Sequence, residues 1–86
     1  MADYSVLLAR SARKELEALP ERIIEKVLVR IKELSKNPRP AGLRKLSGEQ
    51  NLWRIRIGDY RVIYSIDDDR KVIDIAVIRN RKDAYR

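Results

Sequence analysis

Two alternating runs, Leu52–Ile57 and Tyr60–Ile66, are separated only by Gly58-Asp59. A two-residue connection between such runs is a β-hairpin, and glycine at its first central position fits a type II′ turn. The turn dictates the pairing: Ile57 faces Tyr60, Arg56 faces Arg61, Ile55 faces Val62, Arg54 faces Ile63 and Trp53 faces Tyr64. Successive strand side chains point to opposite faces. One face therefore carries Trp53, Ile55, Ile57, Tyr60, Val62 and Tyr64, a core surface. The other carries Arg54, Arg56 and Arg61, with Leu52, Ile63 and Ser65.

The remaining elements must cover that core surface. Tyr4–Ala9 is a short apolar run of strand length, and Ser11 after it is suited to cap a helix. Ala12, Leu16 and Leu19 mark one helix face, and Pro20 ends that helix and opens the next. In the second helix Ile23, Ile24, Val27, Leu28, Ile31 and Leu34 recur at three- and four-residue steps, until Asn37-Pro38 stops it. Residues 37–51 form a connector that Leu43 and Leu46 tack to the core. A third alternating strand spans Val72–Ile78, and residues 79–86 are a basic tail or a short terminal helix. The order β-α-α-β-β-β predicts an α+β fold, an antiparallel sheet packed on a helical hairpin, with residues 1–86 as one domain.

Composition limits the chemistry. The 86 residues include no cysteine and no histidine, which excludes disulfides, zinc sites on those ligands, thiol nucleophiles and imidazole catalysis. Catalysis, if any, runs on arginine, lysine, tyrosine or carboxylates, and no metal site or cofactor is expected. No run has the length of a signal or membrane-spanning segment, so the cytoplasm is the expected location and no membrane partner is expected. The net charge is +7. Its excess lies in residues 36–66, where Lys36, Arg39, Arg44, Lys45, Arg54, Arg56 and Arg61 stand against Glu49 and Asp59. Such a balance suits an anionic partner, whether nucleic acid, lipid or acidic protein, and is also compatible with simple solvation.

The outer face of the hairpin narrows that choice. Like charges directly opposite one another destabilise a strand pair by up to about 1 kcal/mol. Asp74 on the next strand is placed to relieve one arginine but not three. Two readings stand: arginines splayed apart in water, or a face waiting for a polyanion, since guanidinium forks bind phosphate bidentately and stay charged at any working pH. Arg79, Arg81, Lys82 and Arg86, against Asp83, extend the patch into the tail. Tyr85 there is suited to stacking on a base, to proton exchange, or to anchoring the terminus.

The stretch LWRIRIGDYRVIYSIDDDRKVIDIAVIRNRKDAYR, together with the Leu19-Pro20 joint and the Lys45-Leu46-Ser47-Gly48 segment upstream, resembles the RelE/ParE toxin superfamily. The resemblance implies a RelE-like, microbial-ribonuclease-like fold and the toxin of a type II toxin–antitoxin system. In the RelE branch it implies a ribosome-dependent endoribonuclease, which cuts mRNA in the A site by attack of the 2′-hydroxyl on the adjacent phosphate and so inhibits translation. Carried over residue by residue, it places Arg54, Arg61, Arg81 and Tyr85 in catalysis. Arg56 and Arg79 fall on RNA phosphates, and the neighbouring basic residues Lys82, Arg44 and Lys45 are expected to bind phosphate beside them. Some relatives have lysine at the positions of Arg54 and Arg56; arginine does not release its proton, so Tyr85 becomes the leading general base, with arginine stabilisation of the phosphorane as the alternative. The implied partners are a RelB-like antitoxin, mRNA and the ribosomal A site. A ParE-like toxin acting on gyrase and a non-catalytic antitoxin-binding relic are the other readings.

Overall fold

The computed structural model describes residues 3–46, 48 and 51–80. The hairpin is the part most closely foreseen. β3 (Trp53–Ile57) and β4 (Tyr60–Asp67) pair antiparallel with all five expected partners in register. Gly58 has φ +59°, while Asp59 is not among the positive-φ residues, which is the type II′ pattern.

Around the hairpin stand β1 (Ser5–Leu8), α1 (Arg10–Glu17), α2 (Glu21–Lys36), β2 (Arg44–Lys45) and β5 (Val72–Asn80). The sheet order is β1-β5-β4-β3-β2. The α+β fold of helices on a sheet is as expected, with two additions. The sheet is antiparallel from β2 to β5, but β1 joins the far side of β5 in parallel, Val6 beside Ile73 and Leu8 beside Ile75. The connector also supplies the two-residue β2, with Arg44 against Arg54 and Lys45 against Trp53.

α1 starts one residue before Ser11. Ala9 occupies the N-cap position because its amide donates to the Ile75 carbonyl at 2.8 Å, holding it extended until the chain leaves the sheet. Ser11 is inside the helix, and its hydroxyl donates instead to the Ala76 carbonyl at 3.4 Å. Pro20 and Asn37 bound α2 as their chemistry requires.

β5 runs to Asn80, two residues past its expected end, because β4 pairs with it as far as Tyr60. It also contains a bulge: Ile63 faces Val77 but Tyr64 faces Ile75, leaving Ala76 as the extra residue. The bulge shifts the alternation by one. It brings Ile73, Ile75 and Ile78 all onto the inner face, where they are buried.

There they meet Ile55, Val62, Tyr64 and Ile66 from the hairpin, Ala12 and Leu16 from α1, and Val27, Ile31 and Leu34 from α2. Each large side chain buried in this core contributes about 1.5–3 kcal/mol relative to exposure. Leu28 departs from the expected stripe. It is 48% exposed, roughly 90° around the helix from the Val27–Ile31–Leu34 centre. Leu43 packs against the core as expected, and Leu46 is held by its amide donating to the Leu52 carbonyl at 2.8 Å.

Two side chains fasten the connector. Tyr64, fully buried, donates its hydroxyl to the Pro38 carbonyl at 2.8 Å. Asn51 acts as a piece of strand where β3 ends: its amide donates to the Ile66 carbonyl (2.9 Å) and accepts from the Ile66 amide (3.3 Å) and the Trp53 indole (3.1 Å). Among the described residues no helix is long and apolar enough to cross a membrane.

Candidate functional site

The outer face is built by register. Because Ile55, Val62 and Ile78 point into the core, their sequence neighbours Arg54, Arg56, Arg61 and Arg79 point out. Arg56 faces Arg61, and Arg61 faces Arg79, so three guanidinium side chains form one row across β3, β4 and β5. A second row runs Arg44, Arg54, Ile63, Val77 across four strands. Directly opposed side chains have Cβ atoms about 4.5–5.5 Å apart. Each arginine of the row thus lies in the field of the next.

Arg54, Arg56, Arg61, Arg44 and Arg79 are therefore brought together by the fold, and Lys45 continues the edge from β2. Arg56, Arg44, Lys45 and Arg79 are exposed, whereas Arg54 and Arg61 are half-buried, with their Nε atoms closed off from solvent. Lys45 turns away from the row: its ammonium lies 5.9 Å from the centroid of the Trp53 ring. Arg81, Lys82 and Tyr85, with Arg86, lie outside the described residues.

Asp74 does not reach the row. The bulge does put it on the outer face, but it pairs with Ser65, four residues along β4 from Arg61 and so about 13 Å away. Among the described residues Glu15 does meet the row, and sequence patterning gave no reason to single it out. β1 covers β5 only as far as Ile75. Beyond that point α1 takes over the edge, where Glu15 accepts from the Ile78 amide (3.2 Å) and from Arg79 Nε. One carboxylate thus satisfies an uncovered strand amide and anchors the end of the arginine row. The signal, a carboxylate on the α1 flank bordering its apolar stripe, becomes meaningful only once the strand order is known.

Arg30 is the second residue missed. It stands on the α2 flank next to β3 and shares an open groove of about 660 Å³ with Ala41, Gly42, Arg44, Arg54, Ile55 and Arg56. The arginine face is thus continuous, around the β3 edge, with a cationic cleft.

The chemistry of this surface is binding and stabilisation of anionic oxygen. Arginine supplies positive charge and paired donors, and does not act as a base. Nor does Tyr64 serve as one, since burial pushes its phenol up to about 12 and its hydroxyl is committed to Pro38. Among the described residues no cluster of three or more acidic, histidine or cysteine side chains is placed to hold a metal ion.

The structure is thus a helix pair on a five-stranded sheet whose open face carries arginine, and comparison with known proteins identifies the class to which such a domain belongs. Residues 6–85 match the family model of the ParE toxin of type II toxin–antitoxin systems. Toxin RelE of Mycobacterium tuberculosis is 33% identical over 84 residues, covering 96% of this chain and 87% of that protein. A putative toxin RelE1 of Methanocaldococcus jannaschii is 31% identical over 86 residues, covering 96% of each. Among solved structures, the archaeal RelE–RelB complex from Pyrococcus horikoshii superposes with a TM-score of 0.82 at 34% identity, covering 92% of this chain and 96% of the matched one. The chain belongs to the RelE/ParE superfamily of type II toxin–antitoxin toxins, and its fold is RelE-like.

Proposed function

We propose that the chain is a cytoplasmic, ribosome-dependent endoribonuclease that cleaves mRNA in the A site and thereby inhibits translation. The observation that carries this reading is the Arg56–Arg61–Arg79 row. Three like charges on adjacent strands cost stability in the isolated protein and become favourable on a phosphodiester. In the reaction the 2′-hydroxyl oxygen attacks phosphorus, and the bond to the 5′-oxygen of the next nucleotide breaks. The products are a 2′,3′-cyclic phosphate and a free 5′-hydroxyl. Arg61 and Arg81 carry the charge of the phosphorane, Arg54 and Arg56 hold the scissile and flanking phosphates, and Arg79, Lys82 and Arg44 extend the track, while Lys45, turned onto Trp53, is left outside it. Tyr85 takes the proton from the 2′-hydroxyl, and the departing 5′-oxygen gains its proton from solvent. The ribosome supplies alignment of the substrate, which is why positioning carries so much of the rate.

The solved relative from P. horikoshii is a complex with RelB. By analogy a RelB-like antitoxin, acidic where it meets the arginine face, restrains this toxin; charge complementarity favours such a pair.

The second reading, a toxin acting on gyrase, is favoured by one observation: the matching family model is that of ParE. Inducing the chain and mapping mRNA ends by primer extension separates the two. Cuts inside translated codons that disappear with Arg61→Ala or Arg81→Ala support RNA cleavage. Intact mRNA with trapped gyrase and broken DNA overturns it. Unchanged single-turnover cleavage by Tyr85→Phe removes Tyr85 as the base.

A further inference from the structure

The groove beside β3 lies around the strand edge from the arginine row. Among the described residues its lining has four arginines, Arg30, Arg44, Arg54 and Arg56, and no acid. β2 covers β3 only at Trp53 and Arg54, so the strand edge beyond Arg54 borders the groove. Backbone groups alternate in direction along an antiparallel strand. The Leu52 carbonyl already points to this edge, where it accepts from the Leu46 amide. Two and four residues on, Arg54 and Arg56 turn their amides the same way, so the Arg56 amide is aimed at the groove. On the opposite wall Gly42 sits at φ +89°, and a Cβ there would meet nothing within 4 Å, which leaves the mouth open.

We propose that this groove is a second phosphate subsite, which takes a backbone phosphate of single-stranded RNA adjacent to the one held by the arginine row, with Arg30 closing it from α2. The proposal rests on the RNA-cleavage reading and deepens it. Arg54 and Arg56 belong to both surfaces, so an RNA strand crossing the row is handed directly into the groove. Their Cα atoms are about 6.7 Å apart along the strand, comparable to one phosphate-to-phosphate step of an extended backbone. Arg30 is available for the exchange: its contact with Glu33 is a 3.9 Å pair on the helix surface, of a kind worth only a few tenths of a kcal/mol. A protein partner fits less well. Peptide anchors need a closed apolar pocket, whereas Ala41 and Ile55 are the apolar exceptions in an open, cationic lining.

The test is anisotropy of a fluorescent, fully 2′-O-methylated oligoribonucleotide of about ten nucleotides, which binds but has no 2′-hydroxyl to react, titrated over a range of salt. Each phosphate contact on a single strand contributes about 0.7 to the slope of log affinity against log salt. Arg30→Ala is expected to lose about tenfold in affinity at low salt and about 0.7 in slope, with an unchanged melting curve. On programmed ribosomes it raises KM and leaves kcat unchanged. Arg30→Lys restores the slope because it restores the charge. If the wild type binds and Arg30→Ala matches it in affinity and slope, the subsite is overturned while the cleavage reading stands. If Arg30→Ala weakens only an acidic antitoxin-derived peptide, the groove is a protein contact and the proposal fails. If the wild type neither binds the oligonucleotide nor cuts mRNA, the cleavage reading itself fails and the subsite with it.

Discussion

Arginine does two opposed jobs at the two ends of this sheet. At the β4–β5 turn, Arg39 forks onto Asp68, Nη1 to Oδ1 at 3.1 Å and Nη2 to Oδ2 at 2.9 Å, and the Tyr4 hydroxyl donates to the same Oδ1 at 2.6 Å. The guanidinium also lies 5.8 Å from the centroid of the Trp53 ring. The Asp68 carboxylate, accepting from both Arg39 and Tyr4, thereby ties the entry to β1, the connector and the turn together. At the hairpin end, Arg56, Arg61 and Arg79 are set against one another, with Glu15 meeting the row only at its β5 end. An arginine matched to an acid reads as structure. Arginines set opposite arginines repel one another across the strands, and a phosphate lying between them turns that repulsion into attraction.

The largest expected effect tests that contrast directly. Arg61→Ala removes the centre of the row and is expected to lower single-turnover mRNA cleavage about 10²–10³-fold, the scale of deleting one preorganised donor to a developing charge. Its thermal stability should fall far less than its activity, because two like-charge oppositions disappear along with its other contacts. Lost activity with clearly lost stability would place Arg61 with Arg39, as a structural tie, and would dissolve the comparison.

How much of this was legible before the fold was known follows from how local each determinant is. The register of β3 and β4 depends on a two-residue turn, so Arg56 against Arg61 was readable from the chain. Arg79 completing the row was not, because it lies one residue past the expected strand and only the bulge at Ala76 shifts the register that sets it against Arg61. A trace of the bulge exists in the sequence: Ile75 and Ile78 are three apart, and two inward-facing residues three apart require a break in a period of two. Glu15 and Arg30 were out of reach for a different reason. Each acts through a strand edge far away in sequence, β5 for Glu15 and β3 for Arg30, and which edges a helix borders is a tertiary fact. Leu28 was misplaced because helical spacing defines a stripe but not its width; the sheet covers only the centre. Arg81, Lys82 and Tyr85 stand as expectations, since they fall outside the described residues.

A smaller effect sharpens the structural side. Tyr64→Phe deletes the hydroxyl that satisfies the Pro38 carbonyl and should cost about 1–2 kcal/mol in denaturant unfolding while leaving cleavage intact. It should also alter the alkaline limb. Burial raises the folded phenol to about 12, above its unfolded value of 10.0. The protonated form is therefore favoured by folding, so its contribution is fully present below pH 10 and is lost as pH rises towards 12. Relative to wild type, the phenylalanine variant should lose less stability across that window. Equal alkaline slopes would mean that Tyr64 ionises as readily in the folded chain as in the unfolded one.

The smallest expected effect lies at the Arg39–Asp68 tie itself, which is exposed and so screened by solvent. The Arg39 fork, and next the Tyr4 hydroxyl, hold the Asp68 carboxyl down at about 2, below its ordinary 3.8. Folding thus favours the ionised form. The contribution is complete above the unfolded value and is lost as pH falls through the window from about 4 to about 2. Asp68→Asn should be slightly less stable than wild type at neutral pH, with the gap closing across that acid window and narrowing with added salt, and should leave cleavage unchanged. Arg61→Ala should show a smaller acid-dependent gap than Asp68→Asn, because the residues opposite it in register are arginines that stay charged throughout. If the two variants instead share one pH and salt profile, the two ends of the sheet use arginine in the same way, and the reading of the row as a site completed by phosphate loses its physical basis.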